Sequence, residues 1–365
     1  MKKIAILVFF TVGFFVHVWA CTGLIAGKQA TVDGSVLVTY SADSHTLYGA
    51  LTSSPAADWP KGSMRSIVEW DTNKPLGEIE QVEHTYAVMG NMNEHQLTVV
   101  ESTWGGRPEL VDTTGIIDYG SLMQLALERA KTAREAIKVM TGLVKKYGYY
   151  SSGESFTIAD PNEAWILDLI GKGPGRRGAV WVAVRIPDDC IAGHANYPRI
   201  HKIPMDDKEN CLYSPDVISF AREMGYFDGL NKDFSFARAY SPADFGALRA
   251  CDARVWSFFR KYDSTMDNYL PYVNGESAEP FPLYVKPSRK LSVQDMKEAM
   301  RDHFEDTPFD MTQDVGAGPF KVPYRFRPMS FEVDGKSYCM ERAIATQQTG
   351  FTLVGQMRNW LPDPV

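Results

Sequence analysis

Val18-Trp19-Ala20-Cys21-Thr22-Gly23 is the stretch on which the reading of this chain turns. Ahead of it stand Lys2 and Lys3 and then an uncharged apolar run over residues 4–16. That run has the length of a signal-peptide core, and Val18 and Ala20 suit the small-residue positions before a cleavage site. Residues 4–20 are short for a membrane span, which takes about 20 residues. Cleavage after Ala20 leaves Cys21 first in the mature chain, so that one residue carries a thiol and a free α-amine. A thiol titrates near ~8.5 and a terminal amine near ~7.7–8.0, so the amine can take up the thiol proton at neutral pH. Three plainer readings compete. Cys21 is the lipidated cysteine of a bacterial lipoprotein, or half of an ordinary disulfide, or the apolar run stays as an uncleaved anchor. Bulky Trp19 speaks against the lipoprotein, because a small residue is expected there.

The residues after Cys21 read as a strand. Residues 22–28 are β-prone, Asp33-Gly34 supplies a turn, and residues 35–40 are β-prone again, which together read as a β-hairpin. The return strand brings residues 40–43 back beside Cys21. Asp43 is then either the partner of the Cys21 ammonium or a loop-capping carboxylate.

Composition narrows the class. Removing residues 1–20 takes away two lysines and no acids, moving the formal charge from −7 to −9. An acidic chain of this kind is a poor nucleic-acid binder and has no need of an anionic membrane surface. Apolar residues make up 44% of the sequence, enough for a sizeable core. The five cysteines, Cys21, Cys190, Cys211, Cys251 and Cys339, leave one thiol odd in an exported protein, with up to two bridges among the last four.

Along the rest of the chain, residues 54–77 are rich in Pro, Trp and Lys, with Trp59-Pro60-Lys61-Gly62 read as a loop, and residues 85–89 and 96–103 read as strands around Asn91-Met92-Asn93-Glu94, a tetrad that closes a hairpin or lines a pocket. Residues 118–130 are amphipathic. Thr132-Ala133-Arg134-Glu135 is a capping box opening a second helix, with Ile137, Met140, Leu143, Val144 and Tyr147 on one face. Residues 156–159, 164–170 and 179–186 continue a sheet, and Gly171-Lys172-Gly173-Pro174-Gly175 is a hairpin loop, lacking the spacing of a phosphate loop. His194-Ala195-Asn196 comes after a strand and either faces a pocket or caps a turn. Beyond Tyr197 helix starts appear near 215, 242 and 293, giving a helical region at about 205–305 that carries Arg249 and Arg254. Residues 333–338 form a hairpin, and 344–355 a strand region. The sequence stops at Leu361-Pro362-Asp363-Pro364-Val365 without a closing element, so the fold is expected to continue past Val365. His-Glu-x-x-His is absent, and His194 and His201 are too isolated to argue a metal site, so no metal and no cofactor are expected.

With Cys21-Thr22, Asp33-Gly34-Ser35 and Asp43 in register, the sequence resembles the N-terminal-nucleophile (Ntn) cysteine hydrolases, and within them the secreted bacterial dipeptidase family. Asn91-Met92-Asn93-Glu94, Asp118-Tyr119-Gly120, the Thr132 helix, Gly153-Glu154-Ser155-Phe156 and His194-Ala195-Asn196 are similar to that family's blocks, in the same order. The resemblance covers residues 21–365. It implies an α+β fold, a four-layer αββα sandwich with two antiparallel sheets between helical layers, and one peptidase domain over 21–365. It further implies hydrolysis of dipeptides and short peptides, with Cys21 as nucleophile and base, Asp43 orienting the α-amine, Asn196 in the oxyanion hole and Arg254, or alternatively Arg249, as a site arginine. Tyr40 and Asn93 are the expected substrate-binding residues. Tyr40 stands where relatives often carry arginine, and its hydroxyl donates a hydrogen bond without supplying a positive charge. Export to the periplasm or the medium, short peptides as partners, no stable membrane insertion after cleavage and a possible oligomer complete the expectation. An Ntn amidase acting on N-acyl compounds of bile-acid-conjugate or penicillin type is the alternative on the same fold.

Overall fold

The computed structural model describes residues 21–44, 49–325 and 330–362; the expected leader at 1–20 and the terminal Val365 lie outside them. Strands β1 (Thr22–Ala26) and β2 (Val36–Asp43) form the hairpin that the Asp-Gly turn calls for, antiparallel, with Gly23 opposite Tyr40 and Thr22 opposite Ser41. Asp33 shapes its turn by accepting the Ser35 backbone N–H and hydroxyl. Residues 64–80, to which the sequence reading assigned no element, hold a second hairpin, β3 (Met64–Val68) and β4 (Pro75–Glu80). Its strands bury Ile67 and Ile79 at alternate positions, a short period-2 signal masked by the surrounding Pro, Trp and Lys. Next come β5 (Thr98–Trp104), helices α1 (Tyr119–Arg129) and α2 (Ala133–Tyr147), and β6 (Gly153–Ala159), β7 (Ala164–Gly171), β8 (Ala179–Ile186) and β9 (Ile191–His194).

Both helices are capped as their sequences ask. Asp118 accepts the Ser121 N–H and Thr132 the Glu135 N–H. The box at Thr132 is incomplete, because Glu135 turns back to the Lys131 N–H. The helical region contains β10 (Cys211–Tyr213), α3 (Val217–Glu223), α4 (Ala253–Arg260), β11 (Tyr284–Val285) and α5 (Val293–Ala299), the last with a full Ser292/Asp295 capping box. Near 242 the start shifts to Asp244, whose carboxylate accepts the Ala247 N–H. A π-helical turn over Ala247–Asp252 then leads into α4. β12 (Thr349–Met357) is the last long strand.

The fold is α+β with antiparallel sheets. One sheet has the order β11-β9-β1-β2-β12, so β1 lies at its centre. The other runs β10-β8-β7-β6-β5 and ends in short strands at Met92–Asn93, Val88–Met89 and Ser53–Ser54. Strand side chains alternate faces, and the apolar clusters follow that alternation. Ile25, Val36, Val38 and Tyr40 of the first sheet pack with Val100, Ile166, Val182 and Val184 of the second. Leu24, Ala26 and Leu37, pointing the other way, pack on Val255, Phe258 and Phe259 of α4 and Met296 of α5. Val99, Phe156, Ile158, Leu167 and Leu169 pack on α1 and α2. Trp256, Phe258 and Phe259 are core residues.

Candidate active site

Cys21 directly precedes β1 and is buried at the floor of a cleft of about 570 Å³. The cleft is walled by Tyr40, Asp43, Glu101, Thr103, Tyr119 and Phe351, with Leu51, Trp70 and Met89 exposed at its rim. Gly120 lets Trp70 pack flat on α1, since a Cβ there would lie 2.4 Å from the indole.

Two donors face the Cys21 sulfur. The Tyr40 hydroxyl lies 3.6 Å from Sγ, and the Asp43 backbone N–H also points to it. Burial, followed by the charges of Glu101 and Asp43, pushes the thiol well above its ordinary range, and the two hydrogen bonds pull the other way. The backbone of Cys21 is held as firmly. Arg254 Nη1 donates to the Cys21 carbonyl at 2.8 Å and to Thr22 Oγ1 at 2.7 Å. Nη2 donates to the Asn196 side-chain oxygen at 2.8 Å and the Ala195 carbonyl at 3.2 Å, and Nε to the Ala250 carbonyl at 2.9 Å. The π-helical turn just before α4 carries Ala250, so the irregular turn and the aim of the guanidinium belong together. Burial lowers Arg254 to about 10, which leaves it charged at neutral pH.

Asn196 closes the clamp. It holds φ of +56°, a conformation Asn tolerates better than most residues, and its Nδ2 donates to the Thr103 carbonyl at 2.6 Å. Its backbone N–H donates to Ser102 Oγ at 3.2 Å. The His194 ring is fully buried, with Nδ1 2.6 Å from Ser102 Oγ and Nε2 2.8 Å from Thr157 Oγ1. Burial lowers it to about 3, so it is a neutral spacer between the sheets. The third residue of Cys21-Thr22-Gly23 must be small, because a Cβ on Gly23 would sit 2.7 Å from His194 Nε2.

Asp43 accepts from Arg342 Nη2 at 2.8 Å and from Thr349 Oγ1 at 2.7 Å. It lines the cleft beside Cys21 and is the ion-pair partner of Arg342, an arrangement other than a loop cap.

Cys21, Tyr40, Asp43, Asn196 and Arg254 therefore converge. Asn93 does not. Its Nδ2 donates to the carbonyls of Leu127 and Ala130, each at 2.8 Å, and its Oδ1 accepts the N–H groups of His95 and Leu97, each at 3.0 Å. All of these partners are backbone, so Asn93 fastens the end of α1 and has nothing left for a substrate; the tetrad is a structural hairpin. Arg249 is also elsewhere, forked onto Glu341 and bonded to Asn274. Cys190, Cys211 and Cys251 carry free thiols, so no bridge joins those three.

Sequence reading missed Glu101, Glu154, Arg342 and Thr349. The first two had a legible signal, an acid inside an otherwise apolar strand run. Glu101 accepts from the Tyr40 hydroxyl, and Glu154 lies beside it. Arg342 and Thr349 are about 300 positions from Asp43, and nothing local marks them.

Comparison with known proteins gives the chain its family. Residues 20–365 match peptidase family C69. A probable dipeptidase of Salmonella dublin is 28% identical over 318 residues, covering 80% of this chain and 68% of that protein. A probable dipeptidase of Latilactobacillus sakei is 25% identical over 369 residues, covering 95% of this chain and 70% of that protein. Dipeptidase A of Lactobacillus helveticus is 25% identical over 327 residues, covering 84% and 66%.

Proposed function

The chain belongs to peptidase family C69, a family of cysteine peptidases, and is a cysteine-type dipeptidase; from that premise we propose that Cys21, freed by removal of residues 1–20, is its nucleophile. The observation that carries the reading is the convergence on Cys21. Its sulfur forms the cleft floor against Tyr40 and the Asp43 N–H, and its carbonyl is held by Arg254. The order of packing, with α1 and α2 on one sheet, α4 and α5 on the other, and the two sheets face to face, supports assigning the fold to the Ntn four-layer αββα sandwich.

On this reading the leader directs export, to the periplasm or the medium, and its cleavage exposes the α-amine. Asp43, steadied by Arg342 and Thr349, accepts a hydrogen bond from that amine and sets its direction. The amine takes the thiol proton, and the thiolate attacks the scissile carbonyl of a dipeptide or short peptide. The developing oxyanion is held by the Asn196 amide, whose orientation Arg254 fixes; one such donor typically contributes ~100-fold or more in rate. The ammonium then gives its proton to the leaving amine, and a thioester on Cys21 remains. Water, deprotonated by the same amine, hydrolyses it.

The test is the intact mass of protein secreted from a bacterial host, before and after iodoacetamide, alongside hydrolysis of a dipeptide panel and an N-acyl amide panel. The expected result is a mass beginning at Cys21, one rapidly alkylated thiol, hydrolysis of dipeptides rather than N-acyl amides, and its loss on alkylation. A retained leader, a lipid adduct on Cys21, or hydrolysis that survives full alkylation of Cys21 overturns the reading.

A further inference from the structure

Tyr40 has one hydroxyl hydrogen and two acceptors for it. One is Cys21 Sγ at 3.6 Å; the other, much closer, is Glu101 Oε1. In this arrangement the hydrogen belongs to Glu101, and the sulfur receives little. Behind Glu101 lies a second buried acid. Glu154 sits on the neighbouring strand, where Thr103 pairs with Glu154 and Glu101 with Phe156, so both acids share a face of the sheet. Among the described residues neither Glu101 Oε2 nor Glu154 Oε1 meets an N–H or O–H donor, and the two carboxyls are buried neighbours on that face. Two buried carboxyls in contact cannot both be ionised, so they hold one proton between them.

We infer that Glu101 and Glu154 act on Cys21 through Tyr40: transfer of their shared proton from Glu154 to Glu101 releases the Tyr40 hydroxyl hydrogen to the Cys21 thiolate. The inference rests on Cys21 being the nucleophile. While the sulfur is a thiol, the proton is on Glu154, Glu101 is charged, and Tyr40 donates to Glu101. When the α-amine takes the thiol proton, the Glu154 O–H bond breaks and a Glu101 Oε2–H bond forms. Glu101 becomes neutral and Glu154 becomes the carboxylate, held by Thr103 Oγ1, which donates to its Oε2 at 3.1 Å. Tyr40 keeps its proton and turns it from Glu101 to the sulfur. No proton leaves the group, and one negative charge retreats from beside the thiolate to the next strand.

The charge on Glu101 is one of the influences that raise the Cys21 thiol, so its retreat favours the thiolate. Burial, and then the charge of Glu101, keeps the Glu154 proton in place at neutral pH. The other ionisable groups around the pair are Asp43 on β2, Asp71, Asp118 and Tyr119 at the start of α1, and Tyr149. Asp71, raised to about 6 mainly by burial, is already bonded by the Tyr119 hydroxyl at 2.8 Å. The relay thus supplies, from neutral and acidic groups, a hydrogen bond to the thiolate without a cation.

The experiment is the pH dependence of Cys21 alkylation by iodoacetamide in the mature enzyme, read by peptide mass, with dipeptide hydrolysis measured in parallel. In Glu154→Gln the transferable proton is gone and Glu101 stays charged. The alkylation midpoint rises by about one pH unit and hydrolysis at pH 7 falls about tenfold, as one unit of thiolate pKa implies. In Glu101→Gln the charge is gone and the amide can donate to the Tyr40 oxygen, so the midpoint falls. Tyr40→Phe raises it, and replaces Glu154→Gln as the upward arm should that variant not fold. Opposite shifts in the two arms are the expected signature. Shifts of one sign, or unmoved midpoints with a lowered Tm, make the pair structural and overturn the relay while leaving the nucleophile in place. Wild-type hydrolysis that persists after complete Cys21 alkylation overturns the nucleophile itself.

Discussion

Arg254→Lys is the sharpest test of how the site is held. The native guanidinium makes five hydrogen bonds, to Cys21, Thr22, Ala195, Asn196 and Ala250, all within the protein interior. An ammonium keeps the charge but has one nitrogen in place of a planar fork, so it reaches about two of the five acceptors. Each lost bond costs roughly 1 kcal/mol net, so the variant is destabilised by about 3 kcal/mol. For a chain of this size that is a Tm lower by about 4 °C. Activity falls further than stability does, because the Asn196 oxygen and the Cys21 carbonyl lose the atom that aligns them. A misaligned oxyanion donor costs ~100-fold in kcat. The assay is dipeptide hydrolysis at 25 °C, normalised to the alkylatable Cys21 thiol so that only folded sites count, with kcat and KM separated. KM is expected to hold, since among the described residues Arg254 does not line the cleft. A variant with native kcat and native Tm would refute the clamp, and one with native kcat and lowered Tm would reduce Arg254 to a core residue.

Two other expectations rest on the same geometry. Asn93→Ala breaks four side-chain-to-backbone bonds, two at the end of α1 and two within its own turn, lowering stability by about 2–4 kcal/mol in denaturant titration while KM for dipeptides stays native; a raised KM with unchanged stability would restore it to the substrate site. His194→Gln reports on pH. A buried His lowered from 6.5 to about 3 contributes stability that is complete above pH 6.5 and is lost as pH falls toward 3, because only the unfolded chain takes up the proton. The penalty of His194→Gln is therefore about 2 kcal/mol smaller at pH 5 than at pH 7, and a penalty equal at both values would mean that the native ring is protonated.

How far the sequence carried these conclusions depends on how local each signal was. The β1–β2 hairpin was legible because Asp33-Gly34 and its flanking β-prone runs sit within 20 residues. Helices α1 and α2 were legible from Asp118, Thr132 and the apolar periodicity, because caps and periodicity are properties of contiguous sequence. The β3–β4 hairpin was not, because its alternating strands are short and lie among loop-forming residues. At the site, Cys21 and Asp43 could be paired through the hairpin register, and Arg254 and Asn196 through resemblance. Asn93 was misjudged for a physical reason. An amide in a turn that satisfies four backbone groups has the same sequence appearance as one that faces a ligand. Glu101 and Glu154 were missed because strands of Val, Ser and Thr read as core, and an acid among them attracts notice only once its partner on the next strand is known.

The position of Cys21 bears on how a terminal residue could serve as a precise nucleophile under the proposed mechanism. Chain ends ordinarily fray, because the first residues have neighbours on one side only. Here the strand that begins at Thr22 is the middle one of five, hydrogen-bonded to β2 on one edge and β9 on the other. Arg254 ties the Cys21 carbonyl and the Thr22 hydroxyl from the layer beyond, and Gly23 sits against the His194 ring. Removing everything before Cys21 therefore removes none of these restraints. Under the proposed processing, the freed amine would emerge on a residue whose backbone is already fixed, next to a carboxylate whose own direction is set by Arg342 and Thr349. If the chain is cleaved there as proposed, a start on a central strand, instead of in a loop, would let one residue supply nucleophile and base without the entropy of a mobile terminus opposing the geometry.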